Sequence, residues 1–358
     1  MNRLEEVQTK HDQLRLLLER YGVEGIWLKK VRNIAWFSGG ADASISVNEE
    51  NGAYSLLITE SKRYVVVNNI EVTRLLGEEP FVELGFEFEI AQWYEPLALP
   101  VTRYISDEQA DFEATIQTLR WQLTEAEVNR VRELGRDAAQ AIEQTIAMIH
   151  VGDTEYKIAS RLDASCRERG GMAVVNLVAT DERINKYRHP LPTFKKLERM
   201  VMVVLCMRRS GLIVSTTRFA HVGEIPAELT EKLDHIAHID ASVTLASRPD
   251  RALNEVFGDL QQAYETYGET DQWQFHHQGG IGGYQGRERI ANAHDDTRLH
   301  AHMMMAWNPS IVGMKSEDTI LITENGFEVL TAHSDLFPTV RVELGGRSVR
   351  KAGIYRLE

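Results

Sequence analysis

The run His276-His277-Gln278-Gly279-Gly280-Ile281-Gly282-Gly283-Tyr284-Gln285-Gly286-Arg287-Glu288 gathers two imidazoles, two amides, a phenol, a guanidinium and a carboxylate around a glycine-rich turn. Glycines let a backbone come close to a ligand, although the same composition also suits a tight sheet turn whose histidines bond to backbone. Arg287 can clamp a substrate carboxylate through two hydrogen bonds, and so can Arg218; either can instead pair with Glu288 or Glu317. His189 stands between Arg188 and Pro190, in a loop ahead of an apolar run. An imidazole there can take a proton from water and return it to a leaving amine. Asn308 and the segment Lys315-Ser316-Glu317-Asp318 form the third polar group. His276, His277 and Glu317 supply donors for at most a single metal, whereas His294, His300 and His302 have a spacing that matches no common site.

These residues need elements to hold them. Residues 2–21 carry apolar positions at helical spacing, followed by a short strand at Gly25-Ile26-Trp27-Leu28. Residues 54–59 and 63–67 read as strands joined by a turn, residues 69–76 as a helix, and 81–84 and 104–105 as further strands. Residues 107–123 read as a polar bridge between domains. At Thr124 a helix opens on Thr-Glu-Ala-Glu, a capping box in which Thr124 caps and Glu127 reaches back. A second helix starts at Asp153-Thr154-Glu155 and stops at Gly170-Gly171. Later come helical stretches at 228–246 and 253–267, and strands at 303–307 and 319–323.

Composition limits the partners. The chain has 358 residues, 43% hydrophobic and 26% charged, enough for two cores without disulfides. Its net charge of −13 repels phosphate backbones and anionic lipid, so neither nucleic acid nor a membrane is an expected partner. Cys166 and Cys206 are too few for a disulfide framework and read as buried, reduced thiols. No apolar leader and no run of about 18 apolar residues is present, and a cytoplasmic protein is expected.

Asn33-Ile34-Ala35-Trp36-Phe37-Ser38-Gly39 and Glu71-Val72-Thr73-Arg74 resemble the N-terminal domain of the aminopeptidase P–prolidase–creatinase (peptidase M24) superfamily. Residues 123–134, 186–197 and 315–331 resemble, in order, the first helix, the first histidine segment and the closing signature of its catalytic domain. The resemblance implies an α+β chain: a small α/β creatinase-type domain over residues 1–118, then a pita-bread domain over 119–358, a curved antiparallel sheet backed by helices. It also implies a homodimer.

In that superfamily two cations are held by two aspartates, a histidine and two glutamates. The strand pair expected to carry both aspartates, residues 199–223, has no Asp or Glu. The histidine falls near His276, Asn308 replaces one glutamate, and only Glu317 remains. Too little negative charge is left for two divalent ions, and neither metal nor cofactor is expected. Creatinase, which shares the fold without metals, places His189 as acid/base, matches Tyr284–Glu288 and keeps Glu317. Here, however, Thr217 precedes Arg218 where creatinase has a carboxylate, which tells against a guanidinium substrate. The expectation is a metal-independent hydrolase of a C–N bond in an amide, amidine or short peptide. His189, Glu317 and His276 would be catalytic, and His277, Gln278, Tyr284, Arg287, Glu288, Asn308 and Arg218 would bind substrate. A metal-dependent Xaa-Pro peptidase and a non-catalytic binding protein are the alternatives.

Overall fold

The computed structural model describes residues 1–335 and 337–358. Contacts divide the chain into two compact units, Met1–Glu127 with Ser210–Leu212, and Val128–Arg209 with Ile213–Glu358.

The first unit begins with α1 (Arg3–Tyr21), β1 (Gly25–Lys30) and α2 (Val31–Ser38). It continues with β2 (Asn51–Ile58), β3 (Arg63–Asn68), α3 (Val72–Glu78), β4 (Phe86–Ala91), β5 (Tyr104–Ser106) and α4 (Ala110–Leu119). The strands form one mixed sheet in the order β4-β3-β2-β1-β5. One expectation fails here. Residues 81–84 are a turn rather than a strand. Phe81 and Leu84 are the buried pair, three apart, Leu84 N bonds Pro80 O at 3.0 Å, and Gly85 turns the chain at φ +78°. The bridge at 107–123 contains α4, which buries Phe112 and Ile116 at helical spacing.

α5 (Glu125–Ala147) leads into the second unit and starts on the expected capping box, with Glu127 N bonding Thr124 Oγ1 at 3.3 Å and Thr124 N bonding Glu127 Oε2 at 2.7 Å. α6 (Glu155–Glu168) is capped by Thr154 and runs into β6 (Met172–Thr180) and α7 (Glu182–Lys186). β7 (Met200–Arg209), an apolar run up to Arg208, and β8 (Leu212–Val222), which carries the polar Ser215–Arg218 in its middle, are both buried along nearly their whole length. Then come α8 (Ala227–Ala246), α9 (Leu253–Thr266), a 3₁₀ turn at Gln272–Phe275, β9 (Gly279–Gly282), β10 (Arg289–Ile290), β11 (Met304–Trp307), β12 (Ser310–Ile311), β13 (Met314–Lys315), β14 (Asp318–Thr323) and β15 (Gly326–Val329). β16 (Thr339–Leu344), β17 (Arg347–Ala352) and β18 (Ile354–Leu357) close the chain.

Two sheets of this unit carry the polar residues, β10-β9-β11-β14-β15 and β18-β8-β7-β6. They meet where Thr217 N donates to Glu317 O at 3.1 Å. α8 backs them and fixes the 315–318 segment, because its buried Asp240 accepts from Ser316 Oγ and pairs with Lys351 Nζ at 2.8 Å. The architecture is the expected mixed α/β, pita-bread fold. Among the described residues no helix is long and apolar enough to cross a membrane.

Candidate active site

The polar centre is built on β8 and on the hairpin β12–β13. Successive side chains of a strand alternate faces. Ser215 and Thr217 of β8 therefore point one way, and Thr216 and Arg218 the other. Thr217 Oγ1 donates to Glu317 Oε2 at 2.6 Å, and Ser215 Oγ accepts from Arg287 Nη1 at 3.2 Å and lies 3.2 Å from Cys206 Sγ. Lys315 Nζ stands 2.8 Å from Glu317 Oε2, and Arg287 Nη2 3.2 Å from Glu317 Oε1. All of these side chains are buried or nearly so. Burial pushes the Glu317 carboxyl up, but Lys315, Arg287 and the Thr217 hydroxyl outweigh it and hold it at about 2.

Three imidazoles form a second cluster. His189 Nε2 lies 2.8 Å from His276 Nε2, and the His276 and His277 rings stack with centroids 4.5 Å apart. The loop bearing His189 is anchored by Arg188, which donates to Ile311 O and, at 2.7 Å, to Gln272 Oε1. Burial is the first cause of low pKa values throughout: His276 falls to about 2, with Lys315 adding to it, and His277 to about 4, with Arg287 adding to it. His189 is lowered by burial and then by Lys315, while Glu317 opposes the shift. The two clusters therefore act on each other electrostatically, and the imidazoles are neutral at ordinary pH.

The remaining candidates divide. Gln278 is buried and committed to the protein: its Nε2 donates to Trp273 O at 2.9 Å and His276 O at 2.5 Å, and its Oε1 accepts from Tyr264 at 2.7 Å. It positions the histidine segment and has no free group for a ligand. Tyr264, on the buried face of α9, carried no sequence signal beyond core periodicity. Asn308 is buried with its Oδ1 unpartnered, as is the Oγ of Ser310 two residues on. Glu288 accepts from Tyr284 N at 3.0 Å, shaping the turn that ends in Arg287. Arg218 is the correction. It lies on the opposite face of β8, fully buried, 3.0 Å from Asp318 Oδ1, and donates to Thr331 O at 2.8 Å. Its guanidinium is used inside the core and does not face the Glu317 cluster.

The glycines of β9 leave no room for a ligating side chain. A Cβ at Gly279 would meet Ala306 O at 2.2 Å, and one at Gly280 would meet Arg289 O at 2.0 Å. The histidines consequently sit before the strand rather than on it.

The sequence model of metallopeptidase family M24 matches residues 129–324. The chain belongs to that family. An uncharacterized peptidase of Staphylococcus aureus is 23% identical over 235 residues, 62% of this chain and 65% of the relative, so the chain spans less than two thirds of such curated relatives. Among solved structures, the prolidase from Pyrococcus horikoshii superposes with a TM-score of 0.72 at 19% identity, covering 91% of this chain and 99% of the prolidase. The Xaa-Pro dipeptidase from Bacillus anthracis gives 0.72 at 18%, covering 98% and 100%. The N-terminal domain of FACT complex subunit SPT16 from Cicer arietinum gives 0.67 at 10%, covering 93% and 97%. These likenesses are of fold.

The residues present do not fit the two-metal centre associated with M24 enzymes. β7 and β8 offer Cys206, Ser215 and Thr217 to the cluster, and Asn308 follows β11. The cluster's carboxylate, Glu317, is already neutralised by Lys315 and Arg287, whose charges would repel a divalent ion.

Proposed function

We propose that this M24 protein hydrolyses a C–N bond in an amide, amidine or short peptide without the family's metal pair. The observation carrying this reading is the pairing of His189 with His276 beside a carboxylate held by two cations. In this reading His189 takes a proton from the attacking water and passes it to the leaving nitrogen as the C–N bond breaks. His276, through its Nε2 contact, fixes the tautomer and tilt of His189. Lys315 and Arg287 supply fixed positive charge toward the developing oxyanion, and Glu317 holds both in place. Asn308, His277, Tyr284 and Glu288 border the substrate. The functional domains are proposed as 1–118 and 119–358, in a cytoplasmic homodimer acting on a small molecule or short peptide.

The test is hydrolysis of an amide, amidine and Xaa-Pro dipeptide panel, with and without chelator. Activity is expected to survive chelation, and His189→Ala to lower kcat by roughly 10²–10⁴-fold. Activity that needs two bound metal equivalents would replace this reading with the metal-dependent Xaa-Pro peptidase.

A further inference from the structure

The histidine cluster has a property that acid/base chemistry does not require. One ring nitrogen each of His189, His276 and His277 lies within 4.8 Å of the other two. The Nδ1 atoms of His276 and His277 are buried without a hydrogen-bond partner, although buried polar atoms are normally satisfied. An imidazole kept only for structure would bond a carbonyl or carboxylate. His276 instead bonds another imidazole, and its stacked neighbour His277 has no hydrogen-bond partner at Nδ1.

Three neutral imidazoles and an open fourth position are the donor set of a mononuclear zinc-class site. The fit needs a small adjustment. The Nε2 atoms of His189 and His276 are 2.8 Å apart, whereas two imidazoles on one tetrahedral zinc place their nitrogens about 3.3 Å apart, given Zn–N bonds of about 2.0–2.1 Å. His189 is the most exposed of the three and lies in a loop, so it can open that gap, while Gln278 holds the 276–277 segment. The proton now shared between the two Nε2 atoms moves to Nδ1 of the ring that carries it, leaving both Nε2 lone pairs free.

We infer that His189, His276 and His277 form a site for one divalent transition-metal ion, sharing with the carboxylate-bridged pair of the family at most the histidine matched near His276, and that filling it removes His189 from catalysis. The site itself rests on geometry; the inhibition rests on the proposed role of His189. Lys315 and Arg287, only partly offset by Glu317, oppose a cation, so the ion is expected to exchange rather than stay through purification.

The experiment titrates metal-free protein with Zn²⁺ against a chromophoric chelator and with Co²⁺ by visible absorption, with circular dichroism to confirm folding. One equivalent per chain is expected. His189→Ala, His276→Ala and His277→Ala should each weaken binding by more than the roughly 10–100-fold that an outer-shell partner costs. Binding unchanged in the three variants, or lost in Glu317→Gln alone, overturns the site. Zn²⁺ added to active protein should abolish hydrolysis, and chelator should restore it. Zinc bound at the three histidines with hydrolysis raised leaves the site standing but ends both the inhibitory reading and the metal-free mechanism. A protein without hydrolysis on any substrate still has its site decided by the binding curves.

Discussion

Glu317 shows how one side chain can organise a site. It is buried between Lys315 and Arg287 and accepts from Thr217. Removing one partner of a buried charge group strands the others at a cost of about 3–5 kcal/mol. Glu317→Gln leaves two cations facing a neutral amide, and its urea unfolding free energy should fall by about that amount. A loss under about 1 kcal/mol, the range of an exposed pair, would mean that the cluster is hydrated and that Glu317 does not hold it together.

At the scale of elements, the turn between α5 and α6 depends on Asp153. Its carboxylate accepts from His150 N at 3.1 Å and pairs with Lys157 Nζ at 2.6 Å and with Arg161, while its own carbonyl accepts from Leu197 N at 2.9 Å. Burial pushes its pKa up, but Lys157, the His150 amide and Arg161 together hold it below 3.8. A depressed carboxylate stabilises the fold above its unfolded value and loses that contribution as pH falls through the folded one. Asp153→Asn should therefore cost about 1.5–3 kcal/mol at neutral pH, the usual worth of hydrogen bonds to a charged group. The gap between the urea midpoints of variant and parent should close as the pH drops below 3.8. Midpoints that stay equally far apart at low pH would assign the effect to shape rather than charge.

For the whole molecule, the two contact units have cores of their own. Leu57, Tyr64 and Val66 pack together in the first, and Ala237, Ala241, Val342 and Val349 in the second. Chains with separate cores depart from all-or-none unfolding. In scanning calorimetry the calorimetric enthalpy should exceed the van't Hoff enthalpy; equality would mean that the two units unfold as one.

Local chemistry made much of this legible in the sequence. The Thr124–Glu127 capping box lies within one helical turn, and the absence of carboxylates from residues 199–223 holds whatever the strand register. The order of segments along the chain was enough to reach the family and its fold. Phe81, Val82 and Leu84 have strand-forming side chains, but the buried pair Phe81 and Leu84, three apart, fits a helical turn that Gly85 ends. What joins residues far apart in sequence was decided only by tertiary structure. His189 meets His276 across 87 positions, a contact that no local pattern encodes. Arg218 and Thr217 are neighbours in sequence, yet strand alternation sends one to Asp318 and the other to Glu317, and only the packed sheets decide which face holds the site. Composition alone accounts for the missing carboxylates, whereas the placement of Lys315 and Arg287 against the one that remains depends on where β8, β9 and the β12–β13 hairpin come to rest.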